Sequence, residues 1–182
     1  MKRNALISFC KPVFVLFFAL AGFTAFSQGT KDDKIMADAT EAKADFIRTD
    51  GMMKSLFDNA YAYVIFPNVG KGAIGVGGAA GNGIVYEHGK AIGRAKMKQV
   101  SVGFQFGGQA YREVIFFESK ENLDRFKEDK FEFAAQASAV AATAGASANV
   151  KYANGVMIFT QQKGGLMYEA SVGGQKFDYT AF

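Results

Sequence analysis

Residues 69–90 read VGKGAIGVGGAAGNGIVYEHGK and contain Gly70-x-Gly72-x-x-Gly75. That spacing lets backbone N–H groups approach a pyrophosphate, provided the glycines lie between a strand and a helix and an acidic residue follows about 20 positions on. No helical pattern follows here. Ile74 and Val76 alternate with glycine, and Ile84, Val85 and Tyr86 continue as a strand. A Walker-type Lys-Ser/Thr pair is also missing after Lys71. Glycine inside a strand marks a bend or the close approach of another backbone. Gly70, Gly72, Gly75, Gly77, Gly78, Gly81 and Gly83 are therefore expected to be structural.

The remaining reactive side chains do not assemble into a known catalytic set. His88 is the only histidine and stands in the turn-like YEHGK. A zinc site needs three or four ligands, and a nucleophile triad needs a base oriented by an acid beside an activated serine. The acidic pairs Asp32 with Asp33 and Glu128 with Asp129 lie in polar helical stretches and read as helix surface. No catalytic residue, cofactor or metal is expected. A different constellation, KAIGRAKMKQVSVGFQF, is more informative. In an extended chain alternate side chains share a face. Lys90, Arg94, Lys96 and Lys98 would then point one way, and the same parity continues as Val100, Val102, Phe104 and Phe106. Such a strand could set its charges at an anionic headgroup layer, where each basic residue contributes about 1 kcal/mol. The plainer reading, and the one preferred, is an edge strand whose lysines deter aggregation while its apolar end enters the core. The amino-terminal helices, with Ile35, Phe46, Met52, Met53 and Phe57 beside Lys34, Lys43, Arg48 and Lys54, offer a second membrane candidate or an ordinary cover for a sheet.

The elements that would position these residues follow from periodicity. Ile35, Ala39, Ala42 and Phe46 recur at helical steps, Asp50-Gly51 interrupts them, and Met53, Leu56 and Phe57 resume, giving two helices or one kinked helix. AYAYVIFPN then reads as a buried strand stopped by Pro67-Asn68. Further strands up to Phe117 are separated by GNG, EHGK and FGGQ. Ser119 caps a short helix with Leu123 and Phe126 on one face. The alanine-rich segment 131–152 is open between helix and strand, and the carboxyl end reads as strand, turn at Lys163-Gly164-Gly165, and strand. Helices first and antiparallel strands afterwards predict an α+β domain with a curved, glycine-rich sheet and one short inserted helix.

At 182 residues, 49% hydrophobic and 21% charged, the chain can bury a core. Residues 1–27 read as a secretory signal peptide: Lys2, Arg3 and Lys11 flank the apolar run PVFVLFFALAGF, and Ala25 and Ser27 take the small-residue positions of a cleavage site. The single domain then spans 28–182, outside the cytoplasm, either periplasmic or peripheral at the envelope membrane, with no transmembrane segment. Removing the signal takes three of the 21 basic residues and leaves 18 against 17 acidic ones. A nucleic-acid binder relying on a strong positive field is therefore not expected. The sole cysteine, Cys10, leaves with the signal too.

The blocks YVIFPNVGKGAIGVGGAAGNGIVYEHGK, VSVGFQFGGQAYREVIFFES, LDRF, AAQASAVAATAG and GVMIFTQQKGGLMYEASVGGQKF, in this order from about Ala37 to Phe182, resemble those of the SYLF domain family. Eukaryotic members of that family are tied to phosphoinositide membranes and actin patches, and bacterial members are usually exported. The resemblance implies an α+β fold in which the small-residue segment is a strand, and it brings no catalytic residues. It implies a non-enzymatic domain that associates with anionic phospholipid or phosphoinositide-like headgroups, or else a protein-interaction module with a protein partner.

Overall fold

The computed structural model describes residues 12–74, 76–101, 109–128, 138–163, 170–171 and 174–182. The chain divides into two compact units, Met1–Lys34 and Ile35–Phe182. The described part of the first is helical from Pro12 onward. The second is an α+β unit containing all of the described strands.

Helix α1, Pro12–Thr49, ends where Asp50-Gly51 breaks the pattern, and α2, Met53–Asn59, begins after it. The break is held by Asp50, whose carboxylate accepts hydrogen bonds from the Met52 backbone N–H at 3.1 Å and from Ser147 N–H and Oγ at 2.8 and 2.7 Å. Burial pushes the Asp50 carboxyl up, but these hydrogen bonds outweigh it and leave the pKa below its ordinary value. Strands β1 Ala62–Ile74, β2 Val76–Glu87 and β3 Lys90–Ser101 follow as successive hairpins, and β4 Gln109–Phe117 pairs back on β1. After β4, Ser119 accepts a hydrogen bond from Asn122 N and caps α3, Lys120–Lys127, with Leu123 and Phe126 buried, as the sequence indicates. Then come β5 Ser138–Ala141, a short 3-10 turn Ala146–Asn149, β6 Val156–Gln162, β7 Ala170–Ser171 and β8 Gln175–Ala181. The small-residue segment is thus strand only over four residues among those described. The sheet order is β7-β5-β6-β4-β1-β2-β3-β8, antiparallel except for β5 beside β6.

Helix α1 begins at Pro12, well before Lys31 where the helical spacing starts, and two strand boundaries also differ from the sequence reading. Pro67-Asn68 does not stop β1; the registers with both neighbours shift there, so Pro67 stands in a bulge where its missing N–H breaks no ladder. Nor does GNG interrupt β2, which runs through Gly81, Asn82 and Gly83 without a break.

Each face of the sheet has its own core. The outer face carries Tyr63, Ile65, Ile84, Val114, Phe116 and Phe159, covered by Ala39, Ala42 and Phe46 of α1 and by Met53 and Phe57 of α2. Asp45 fastens this cover by ion-pairing with Arg112 of β4, and Gln161 of β6 donates to Thr49 Oγ1 at 2.6 Å. The inner face carries Val64, Phe66, Val85, Met97, Ile115 and Phe177, closed by Leu123 and Phe126. The sheet curls strongly around this inner core. Four strand steps separate β4 from β8 and would place them about 19 Å apart in a flat sheet. Yet Gln175 of β8 donates to Glu113 of β4 at 3.0 Å, and the rings of Phe66 and Phe177 are 5.8 Å apart.

Candidate functional site

Strand β3 alternates cleanly over its second half. Ala95, Met97 and Gln99 are buried on the inner face, and Arg94, Lys96 and Lys98 lie on the outer one, the two lysines exposed. Strand β8 alternates in step, with Gln175 and Phe177 inward and Lys176, Asp178 and Thr180 exposed. The antiparallel register sets Arg94 opposite Thr180, Lys96 opposite Asp178 and Lys98 opposite Lys176. Four basic side chains and one acid therefore share a surface two strands wide. The surface keeps a net positive charge, since one acid, Asp178, whose Oδ2 lies 3.5 Å from Lys98 Nζ, stands among four bases.

Lys90 does not belong to this row, contrary to the expectation from parity. The register of β2 with β3 passes from Val85 opposite Gly93 to Tyr86 opposite Ala91, so Ile92 is an extra residue. That bulge turns Lys90 to the inner-face side, opposite Glu87. The bulge is tied down by the Ile92 carbonyl, which accepts from Tyr179 OH at 3.0 Å and from the Phe182 N–H at 3.2 Å. Gly93 makes it possible, because a Cβ there would lie 2.5 Å from the Tyr179 ring and 2.6 Å from the Thr180 carbonyl oxygen. Gly93 was the sequence signal for the bulge, since glycine within a strand marks such irregularities. The apolar continuation at Val102, Phe104 and Phe106 lies outside the described residues.

The glycine string occupies the hairpin of β1 and β2, not a strand-to-helix turn. Gly70 and Gly72 are in β1; Gly77, Gly78, Gly81 and Gly83 are in β2; the ladder runs from Ala62 opposite Glu87 to Ile74 opposite Val76, and Gly75 lies outside the described residues. At Gly83 a Cβ would stand 2.5 Å from the Ile65 carbonyl oxygen and 2.7 Å from the Phe66 ring. At Gly70 it would meet nothing within 4 Å.

His88 takes a left-handed conformation, φ 49°, in the β2–β3 turn and stacks edge-on to Tyr61 at 4.5 Å. It borders a cleft of about 510 Å³ that periodicity did not reveal, with Lys43, Asp58, Tyr61 and Glu118 among its walls. Lys43 lies over the Phe57 and Tyr63 rings at 4.9 and 5.2 Å and donates to Tyr63 OH at 3.2 Å. Burial lowers its pKa, and Asp58 partly opposes that. Asp32 and Asp33 lie on α1 and Glu128 follows α3, while Asp129 is outside the described residues. Among the described residues no three His, Cys, Asp or Glu side chains come together as metal ligands, and no helix is long and apolar enough to cross a membrane.

Comparison with known proteins adds a family. Over 126 residues, 68% of its length, the chain is 30% identical to Beta cell expansion factor A of Aeromonas veronii, and it spans about half, 48%, of that curated relative. The family model described as Ysc84, Las17-binding protein actin regulator, matches residues 98–179. The match runs from Lys98 through β4, α3 and β6 to Tyr179, so it takes in one side of the cationic surface and the contact that closes the curl. Residues 98–179 of this chain thus match the Ysc84, or SYLF, family, which is associated with lipid and actin binding.

Proposed function

We propose that the protein is a non-enzymatic domain, exported from the cytoplasm, that associates with anionic phospholipid through the outer surface of β3 and β8. The observation that carries this reading is the shared outer face of Arg94, Lys96, Lys98 and Lys176 on two paired strands, the three lysines exposed and Arg94 half-buried. Basic groups near an anionic leaflet contribute about 1 kcal/mol each, so four of them supply roughly 4 kcal/mol before any apolar insertion. The association of the family with lipid supports the ligand class. Phosphoinositide-like headgroups are the higher-charge form of the same ligand. Export rests on the charged, apolar and small-residue pattern of 1–27, and places the domain in the periplasm or at the envelope membrane.

The test is flotation of the mature protein with vesicles of neutral phosphatidylcholine, alone or mixed with an anionic phospholipid. Binding is expected only with the anionic mixture, and raising the salt from about 0.1 M to 1 M should release it, because the screening length falls from about 10 to 3 Å. Binding equal on both vesicles, or absent from both, contradicts the reading. The second reading, a protein-interaction module, is favoured by the family's description as binding a protein partner. It takes over if flotation fails while the fold is intact.

A further inference from the structure

The interior of the curled sheet holds a carboxyl that neither the cationic row nor the apolar packing uses. Glu113 lies in β4 with 0% exposure, and one of its oxygens, Oε2, accepts the Gln175 side-chain N–H across the interior at 3.0 Å. Among the described residues, the other carboxyl oxygen of Glu113 and the amide oxygen of Gln175 are both buried with no hydrogen-bond partner. With Glu113 ionised these two leftover atoms are both acceptors and cannot satisfy one another. One proton changes that. The protonated carboxyl gains an O–H donor for the Gln175 amide oxygen while its other oxygen still accepts from the Gln175 N–H.

The surroundings favour that neutral form. Burial pushes the Glu113 carboxyl up to about 7, and the hydrogen bond from Gln175 opposes this only in part. Tyr111, on the same strand, is the ionisable neighbour whose own pKa is raised, by burial first and by the Glu113 charge second. From the other elements Phe66 of β1, Met97 and Gln99 of β3, Thr160 of β6, Phe177 of β8 and Phe126 of α3 are buried around this interior, Gln99 opposite Gln175 in register, and none of them is charged.

We propose that Glu113 is a proton-operated latch: as a neutral acid it forms a reciprocal acid–amide pair with Gln175 that fastens edge strand β8 across the interior to β4, and its ionisation loosens that edge. This inference does not depend on the membrane reading.

Infrared spectra of the folded protein test the first half. A protonated-carboxyl C=O band should be present at about pH 6, where ordinary carboxyls are ionised, and should disappear by about pH 8.5. Hydrogen exchange tests the second. After correction for intrinsic rates, β8 amides should open about tenfold more readily at the higher pH. Glu113→Gln should lack both the band and the pH dependence, because an amide–amide pair makes both hydrogen bonds without a titrating proton. No band in the wild type at about pH 6, a midpoint near the ordinary value of about 4.3, or the same β8 behaviour in both proteins overturns the latch. If Glu113→Gln does not fold, the wild-type band and its midpoint alone decide the matter.

Discussion

Gly83 and Gly93 have no side chain because another backbone already occupies the space, and at both positions the obstacle is a carbonyl oxygen that cannot swing away. Gly83→Ala should therefore lower stability by about 1–3 kcal/mol, visible as a lower Tm, whereas Gly70→Ala, with open space around it, should be nearly neutral. ATP or NAD should leave the Tm of the wild type unshifted, since a hairpin offers no helix N-terminus for their phosphates; a saturable shift would restore the nucleotide reading. Asp50 presents the opposite case, a buried acid with several donors. Asp50→Ala leaves the Ser147 N–H without its acceptor and should cost about 2 kcal/mol by denaturant titration. Its pKa is depressed in the fold, so its contribution is present above the ordinary value of about 3.9 and is lost as pH falls through the lower folded pKa.

At the scale of elements, what the sequence revealed depended on whether the signal was local. Helical spacing located α2 and the part of α1 from Lys31 onward, and Asp50-Gly51 located their break, because periodicity and helix-breaking are properties of adjacent residues. Ser119 located α3 for the same reason. Pro67 misled, because whether a proline ends a strand or stands in a bulge is decided by its neighbours across the sheet. The bulge at Ile92 had only Gly93 to announce it, and it broke the four-residue basic row into Lys90 on one side and Arg94, Lys96 and Lys98 on the other. The contribution of Lys176 was invisible without the β3–β8 register, as were the Arg112–Asp45 clamp and the Lys43 cleft. The α1 cover is expected to be tightly coupled to the sheet. Phe46, at 0% exposure, reaches the outer core, and Phe46→Ala should cost about 3–5 kcal/mol in equilibrium unfolding.

For the molecule as a whole, the curl matters more than the strand order, since it brings β8 back to β4 and buries Glu113 between them. A carboxyl raised in the folded state contributes stability that is complete below about pH 4.3 and is lost as pH rises through about 7. The loss amounts to roughly 4 kcal/mol at alkaline pH. Glu113 and Asp50 thus pull in opposite directions, and thermal melts should show a stability maximum in mildly acidic solution; Glu113→Gln should flatten the alkaline side only. Export is checked by the mass of the native protein, expected to begin near Gln28; an intact Met1–Ser27 segment contradicts it. The central claim, that an outer cationic surface of β3 and β8 meets anionic lipid, is tested most directly by charge reversal. Arg94→Glu, Lys96→Glu and Lys98→Glu combined should abolish flotation with anionic vesicles while preserving the melting transition, and Lys90→Glu, turned away by the bulge, should float like the wild type. Unchanged flotation of the triple variant, or its loss in Lys90→Glu alone, would contradict the account.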